Sequence, residues 1–267
     1  MNKSVNPEDL IVNPYIKNLI GVITRTYFNE SELDLSKHKN ILLKRVYDTH
    51  GYYFNNSEDR RVGDECWPVE ADTMIGIFRM INIYYLLNEV IAKGVPGDFV
   101  ETGVWKGGAC VLANAALRER GEQHRRVHAF DSFEGLPVPY AEYDLSINDK
   151  HHTHDELAVS LEEVYDVFLR YNLLTDNVVF RKGWFSDTMQ EIDDIESVSI
   201  LRLDGDMYSS TMEVLDAMYD KVSKGGFIIV DDWMLPGCRK ACEDFFEKRK
   251  LRVNLIRIDK NSVFWEK

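Results

Sequence analysis

The chain has 267 residues, 45% of them hydrophobic, with 45 acidic against 32 basic side chains and a formal net charge of −13. That is enough apolar material for one large domain, or one domain with an extension. So acidic a chain repels phosphate backbones and anionic lipid, which argues against nucleic acid or a membrane as partner. Four cysteines, Cys66, Cys110, Cys238 and Cys242, show no zinc spacing, and a chain this long needs no disulfides; reduced core thiols are expected. No basic, apolar leader opens the chain and no run is long enough to span a bilayer, so a cytoplasmic location is expected.

Residues 1–65 lack strand–helix alternation and are expected to form a helical N-terminal extension that caps the core, makes an oligomer contact, or both. Tyr15, Ile16, Leu19, Ile20, Ile23 and Tyr27 recur at helical spacing. Gly51 to Asn56 reads as a loop with exposed aromatics. Trp67-Pro68 marks a helix entry, and Met74, Ile77, Phe78, Ile81 and Tyr85 continue the pattern to Gly94, with Thr73-Met74 in the first turn.

From Asp98 strands and helices alternate. Strands are expected over 98–101, 126–130, 178–181, 198–203 and 227–230. Helices are expected over 108–120, 156–173, 211–222 and 237–250, and a hairpin at the sheet edge pairs 253–258 with 262–265. This order predicts a mostly parallel sheet covered on both faces. The long stretch from Pro137 to Asp155 predicts a lid or substrate loop.

The chemistry collects at strand ends, where open α/β sheets bind ligands. Glu101, Asp131, Asp204 and Asp231-Asp232 each close an apolar run. Gly103, Gly107 and Gly108 allow a tight turn into a helix N-terminus, but Trp105 stands where a dinucleotide fingerprint needs its second glycine. Glu101 there suits an ammonium group better than a phosphate. Asp131 suits a ribose diol, or caps the next segment. In Asp204-Gly205-Asp206 the two acids point to one side, and a turn after Val230 brings Asp231 and Asp232 towards one ligand. If the fourth and fifth strands neighbour the first, these carboxylates converge and repel. A hard divalent cation such as Mg²⁺ relieves that repulsion; pairing with Arg202 or Lys224 is the alternative. His151, His152 and His154 are solvated, touch substrate, or supply a base. Trp184 stacks on a purine or fills the core.

These residues sit in Thr73-Met74-Ile75-Gly76, in Gly97-Asp98-Phe99-Val100-Glu101-Thr102-Gly103-Val104-Trp105-Lys106-Gly107-Gly108, and in Phe130-Asp131-Ser132-Phe133-Glu134-Gly135-Leu136-Pro137. Lys182-Gly183-Trp184-Phe185, Leu203-Asp204-Gly205-Asp206-Met207-Tyr208 and Gly225-Gly226-Phe227-Ile228-Ile229-Val230-Asp231-Asp232-Trp233 follow. In that order the set resembles the macrocin O-methyltransferase family, metal- and S-adenosylmethionine-dependent enzymes that methylate sugar hydroxyls of antibiotics. The resemblance implies an α/β class I methyltransferase (Rossmann-like) fold over residues 66–267, a seven-stranded sheet whose last strand is antiparallel. It implies S-adenosylmethionine contacts from Thr73, Met74, Glu101, Thr102, Gly103, Val104, Trp105, Gly107, Gly108, Asp131, Ser132, Phe133, Gly183, Trp184 and Asp204. It implies Mg²⁺ at Asp204, Asp231 and Asp232, with Asp206 as base, and a homo-oligomer, dimer or higher. Ala109 departs from the pattern, where a serine is expected near the cofactor's amino-acid end. The acceptor implied is a small-molecule hydroxyl, first a deoxysugar on a natural product, then a phenol. Tyr52, Tyr53, Trp67, Tyr140, Tyr143 and Trp233 offer an apolar platform for it. A dinucleotide oxidoreductase and a catalytically silent cofactor-binding homologue are the competing readings.

Overall fold

The computed structural model describes residues 13–25 and 71–267. The expectations for Tyr27, the loop at 51–56, Cys66, the Trp67-Pro68 helix entry and most of the 1–65 extension lie outside the described residues.

Seven strands form one sheet among the described residues: β1 (Asp98–Thr102), β2 (Val127–Asp131), β3 (Val178–Lys182), β4 (Val198–Leu203), β5 (Val222–Val230), β6 (Ile256–Arg257) and β7 (Val263–Glu266). Their order is β3-β2-β1-β4-β5-β7-β6. β1 to β5 are parallel, and β7 runs antiparallel to both β5 and β6. The hairpin therefore places only β6 at the edge; β7 is interior. Every residue of β4 is buried, as expected of a strand with both faces covered.

Helices α1 (Pro14–Ile23), α2 (Ile77–Ala92) and α3 (Gly108–Glu119) cover one face with α5 (Leu161–Arg170). α3 is buried from Gly108 to Leu117, so its small and aliphatic residues face protein all round. α1 places Ile16, Leu19, Ile20 and Ile23 in the same apolar cluster, seating the start of the expected extension in the main core. The other face is packed by α7 (Tyr208–Met218) and α8 (Pro236–Arg249). The remaining short helices are α4 (Glu142–Ser146) and α6 (Phe185–Thr188). No helix among the described residues is long and apolar enough to cross a membrane.

Several boundaries differ from expectation, among them β5, which starts at Val222 rather than at 227; three of the helix starts have a nameable cause. α2 starts at Ile77, because Gly76 before it is extended, so Thr73 and Met74 sit in the turn ahead of it. α5 starts at Leu161, where Ser160 and Glu163 form a reciprocal capping box; residues 155–157 make a separate 3₁₀ turn. α7 starts at Tyr208, because the buried Asp144 carboxylate accepts the Tyr208 and Ser209 N–H groups at 2.9 and 3.0 Å. Asp144 belongs to α4, so this cap also fastens the 137–155 segment to the sheet's helix layer.

Candidate active site

β1 and β4 are neighbours, but the chain winds outward from them in opposite directions. A crevice opens there above the strand ends. It is a cleft of about 680 Å³, lined from Thr73-Met74 through the β1 turn to the ends of β4 and β5.

The β1 end comes closest to β4 at Gly103. Its φ is +91°, and an added Cβ would lie 1.6 Å from the Asp204 carbonyl oxygen. This glycine is demanded by the approach of two backbones. Gly103→Ala is expected to cost at least about 2 kcal/mol and to lower the unfolding midpoint by roughly 5 °C, read by thermal melting. An unchanged midpoint would show that the two strand ends do not touch.

Asp131 holds the same turn from the β2 end. One carboxylate oxygen accepts the Val104 and Trp105 N–H groups at 2.7 and 3.3 Å, and the other accepts the Phe133 N–H at 2.7 Å. Burial pushes this carboxyl up, and those backbone donors oppose the rise. Both readings of Asp131 are thus compatible: it caps the turns, and it faces the cleft. Trp105, at φ +48°, donates its indole N–H to the Glu156 carbonyl at 3.0 Å, tying this turn to the end of the long loop.

Behind the turn lies a buried chain of charge. Glu101, 1% exposed, accepts the Cys110 thiol at 2.7 Å and pairs with the Arg202 guanidinium. Arg202 also reaches Asp204 at 2.6 Å and Asp231 at 2.5 Å. Arg79 from α2 bonds Asp231 at 2.5 Å and Asp259 at 2.6 Å. The expected alternative partner for the strand-end acids, Arg202, is therefore engaged with them; the same carboxylates also converge on one another.

Asp204, Asp231 and Asp232 bring carboxylate oxygens within 4.8 Å of one another. β5 ends at Val230, so Asp231 and Asp232 leave the strand's alternation and turn to one side. Burial raises the Asp204 carboxyl to about 7, with Asp231, Asp206 and Glu101 adding to the rise and Arg202 opposing it. Burial also lifts Asp232, reinforced by Asp206, Asp204 and Asp231. Asp231 goes the other way: burial would raise it, but Arg202 and Arg79 hold it below the usual carboxylate range. The cluster is short of positive charge, and its donors are all hard oxygens, which fits Mg²⁺ rather than zinc. Among the described residues this is the one grouping with metal-ligand potential, so the loop histidines complete no zinc set.

Asp206 follows at φ +56°, its N–H donating to Asp232 at 3.2 Å and its side chain at the cleft. Burial raises its carboxyl, and His151 is the leading charge opposing that rise.

The cleft gathers Thr73, Met74, Glu101, Gly103, Val104, Trp105, Asp131, Ser132, Gly183, Trp184, Asp204, Asp206, Asp231 and Asp232. Four other expected cofactor residues lie outside its lining. Thr102 is buried, its hydroxyl on the Arg202 carbonyl at 3.2 Å. Gly107 and Gly108 are packing glycines: an added Cβ would meet Val164 at 3.0 Å and the Asp72 carbonyl at 2.3 Å, respectively. Phe133 is buried against Phe180. Ala109 does line the cleft, but offers no hydroxyl. Of the aromatic platform Tyr140 lines the cleft, with its hydroxyl on Glu213. Tyr143 instead packs on Tyr208, and Trp233 joins the apolar cluster under α8. Tyr52, Tyr53 and Trp67 lie outside the described residues.

Arg79 and Asp259 were not legible as site residues. A lone arginine in the apolar run Ile77 to Leu87 was the available signal for Arg79, as Arg202 is in β4. Asp259 shows its role only through the fold.

A profile of the family described as Macrocin-O-methyltransferase (TylF) matches residues 12–267. The chain is 40% identical over 250 residues to demethyldecarbamoylnovobiocin O-methyltransferase of Streptomyces niveus, covering 90% of this chain and 95% of that one. It is 38% identical over 214 residues to mycinamicin III 3″-O-methyltransferase of Micromonospora griseorubida, covering 79% and 84% respectively. Among solved structures it is similar to the O-methyltransferase NovP, with a TM-score of 0.82 and 37% identity over 97% of this chain and 99% of that one. The calicheamicin methyltransferase CalS11, at 19% identity and a TM-score of 0.59, shares the fold. The fold is thus that of the class I methyltransferases, and the oxidoreductase reading falls away. With the glycine turn, the strand-end acids and these relatives in agreement, the chain belongs to the macrocin O-methyltransferase family and is an S-adenosylmethionine-dependent O-methyltransferase.

Proposed function

We propose that this enzyme methylates a hydroxyl of a sugar on a natural product, with Mg²⁺ at Asp204, Asp231 and Asp232 gripping that hydroxyl and its neighbour. The observation that carries this reading is the convergence of three carboxylates in the wall of the cleft. Glu101 receives the ammonium end of the cofactor, and Asp131 with Ser132 receives its ribose. Thr73, Met74, Gly103, Val104, Trp105, Gly183 and Trp184 complete the cradle. Thr102, Gly107, Gly108 and Phe133 support it from behind.

The sulfonium supplies an electrophilic methyl, and Mg²⁺ lowers the pKa of a bound hydroxyl. The chain does the rest by placement. Asp204, Asp231 and Asp232 would hold the ion, which would supply binding to two adjacent acceptor oxygens. Asp206 accepts the hydroxyl proton as base. Leu136, Pro137, Leu157, Met234 and Leu235, also on the cleft wall, exclude water and favour an acceptor with an apolar body. A catechol presents the same pair of adjacent oxygens and is the second acceptor class. A cap or contact role for residues 1–65, a homo-oligomer of two or more chains and a cytoplasmic location belong to this reading as well.

The test offers demethyldecarbamoylnovobiocin, mycinamicin III and catechol to the purified enzyme with S-adenosylmethionine and Mg²⁺. Methylation of a glycoside, abolished by EDTA and restored by Mg²⁺, is the expected result. Methylation of catechol alone moves the acceptor to the second class. Cofactor binding with no turnover on any of them marks a silent homologue, and turnover untouched by EDTA removes the metal.

A further inference from the structure

Asp72 stands directly ahead of the Thr73-Met74 turn, and all four of its polar atoms are engaged. Its N–H donates at 3.0 Å to the carbonyl of Ile23, the last residue of α1. Its carbonyl accepts the N–H of Gly108, the first residue of α3, at 2.9 Å. One carboxylate oxygen accepts the Arg170 guanidinium at 2.8 Å, and the other accepts the Tyr171 hydroxyl at 2.6 Å. Asp72 is buried. Burial, and then the Asp72 carboxylate itself, push the Tyr171 phenol up, so this hydroxyl stays a donor. Asp72, Arg170 and Tyr171 do not line the cleft.

Arg170 ends α5 and Tyr171 follows it. The same helix reaches the β1 turn, where Val164 and Phe168 lie 3.0 and 3.1 Å from the place a Cβ on Gly107 would take. α5 therefore touches both lips of the cofactor cradle: the glycine turn through its apolar face, and the Thr73-Met74 turn through its polar end. The lips also meet each other, since a Cβ on Gly108 would lie 2.8 Å from the Thr73 Cβ. Apolar packing is non-directional, whereas two hydrogen bonds onto one carboxylate fix direction as well as distance. Burying an acid costs free energy that an apolar contact at the same place would not. Cohesion alone does not call for this arrangement; placing the turn does.

We propose that Tyr171 and Arg170, acting through Asp72, are positioning residues for S-adenosylmethionine. They hold the Thr73-Met74 turn at the spacing from the glycine turn that the methionine end of the cofactor requires. Tyr171 carries most of this role, because its ring packs on the core cluster. The Arg170 side chain is 60% exposed, and water screens its pairing.

The proposal rests on the cofactor placement given above, so S-adenosylhomocysteine binding to the wild-type enzyme is measured first, by calorimetry. No binding overturns that placement, and the positioning role with it. With binding established, Tyr171→Phe, which keeps the ring and removes only the hydroxyl, is expected to weaken S-adenosylhomocysteine about tenfold. Arg170→Ala should weaken it about twofold. In an Asp72→Ala background Tyr171→Phe should add no further loss, because the hydroxyl acts only through that carboxylate. Asp72→Asn, which keeps one acceptor oxygen, carries the same cycle should the alanine variant fail to fold. With whichever of demethyldecarbamoylnovobiocin and mycinamicin III is methylated, the KM for S-adenosylmethionine should rise by the same factor while kcat and the acceptor KM hold. Wild-type affinity in Tyr171→Phe overturns the positioning role alone, and a lowered melting midpoint beside it marks a contact that serves stability only. A tenfold loss repeated in the Asp72 background overturns it too, as does an acceptor KM that rises as far as the cofactor KM.

Discussion

Asp204→Ala is expected to lower methyl transfer by about 10³-fold, equivalent to roughly 4 kcal/mol of lost transition-state stabilisation, while S-adenosylhomocysteine still binds. The residue touches both halves of the site, so the two readouts separate its roles. Its carboxylate lies within the three-acid cluster, and its carbonyl fills the space beside Gly103. Alanine removes the first and keeps the second. Mg²⁺ binding, followed by calorimetry, should be lost in the variant. Retained activity that EDTA still abolishes would place the metal elsewhere.

The same residue sets a pH dependence. Protons and Mg²⁺ compete for a carboxyl raised to about 7. Metal affinity should therefore fall as the pH drops below 7, approaching about tenfold per pH unit for each proton displaced. Folding of the metal-free chain responds in the opposite sense. The Asp204 value lies above the ordinary 3.8, so its contribution to stability is fully present below pH 3.8 and is lost as the pH rises through 7. Added Mg²⁺ should stabilise most at neutral and higher pH, where the carboxylates are ionised. Melting with and without Mg²⁺ at pH 5.5 and 8 reads the sign directly.

The second large effect is expected at Arg202. Its guanidinium is 1% exposed and joins Glu101, Asp204 and Asp231. Arg202→Met keeps most of the volume and leaves the buried Glu101 and Asp231 and the half-buried Asp204 short of a cation. Breaking a buried charge pair from one side costs about 3–5 kcal/mol, so the unfolding midpoint should fall on the order of 10 °C. Excess Mg²⁺ should recover part of that fall, because the ion neutralises two of the same acids. Arg202→Lys restores the charge but not the planar fork, and should lie between the two. An unchanged midpoint for the methionine variant would mean that the acids do not depend on this cation.

Both expectations turn on groups that differ in how far the sequence reveals them. Strand and helix alternation was legible, because short, mostly apolar runs ending in an acid carry the pattern locally. So was the candidate metal set. Asp204, Asp231 and Asp232 follow buried strands, and a parallel sheet aligns such ends. Boundaries controlled from a distance were not legible. α7 begins at Tyr208 because Asp144, more than sixty positions earlier, caps it. The roles of Gly107 and Gly108 were read as ligand contact, but the side chains of α5 and the backbone at Asp72 fill the space a Cβ would need. Steric demand of that kind comes from neighbours, and no local pattern encodes it.

By itself the chain's order of residues determined a mostly parallel α/β sheet and the acids at its strand ends, since both are written in local periodicity and spacing; the family followed from the resemblance of its motifs. Only the tertiary structure decided which cations answer those acids. Arg79 reaches Asp231 across 152 positions and Asp259 across 180. Buried charge must be compensated within a few ångströms, and which residues lie that close is a property of packing, not of sequence distance.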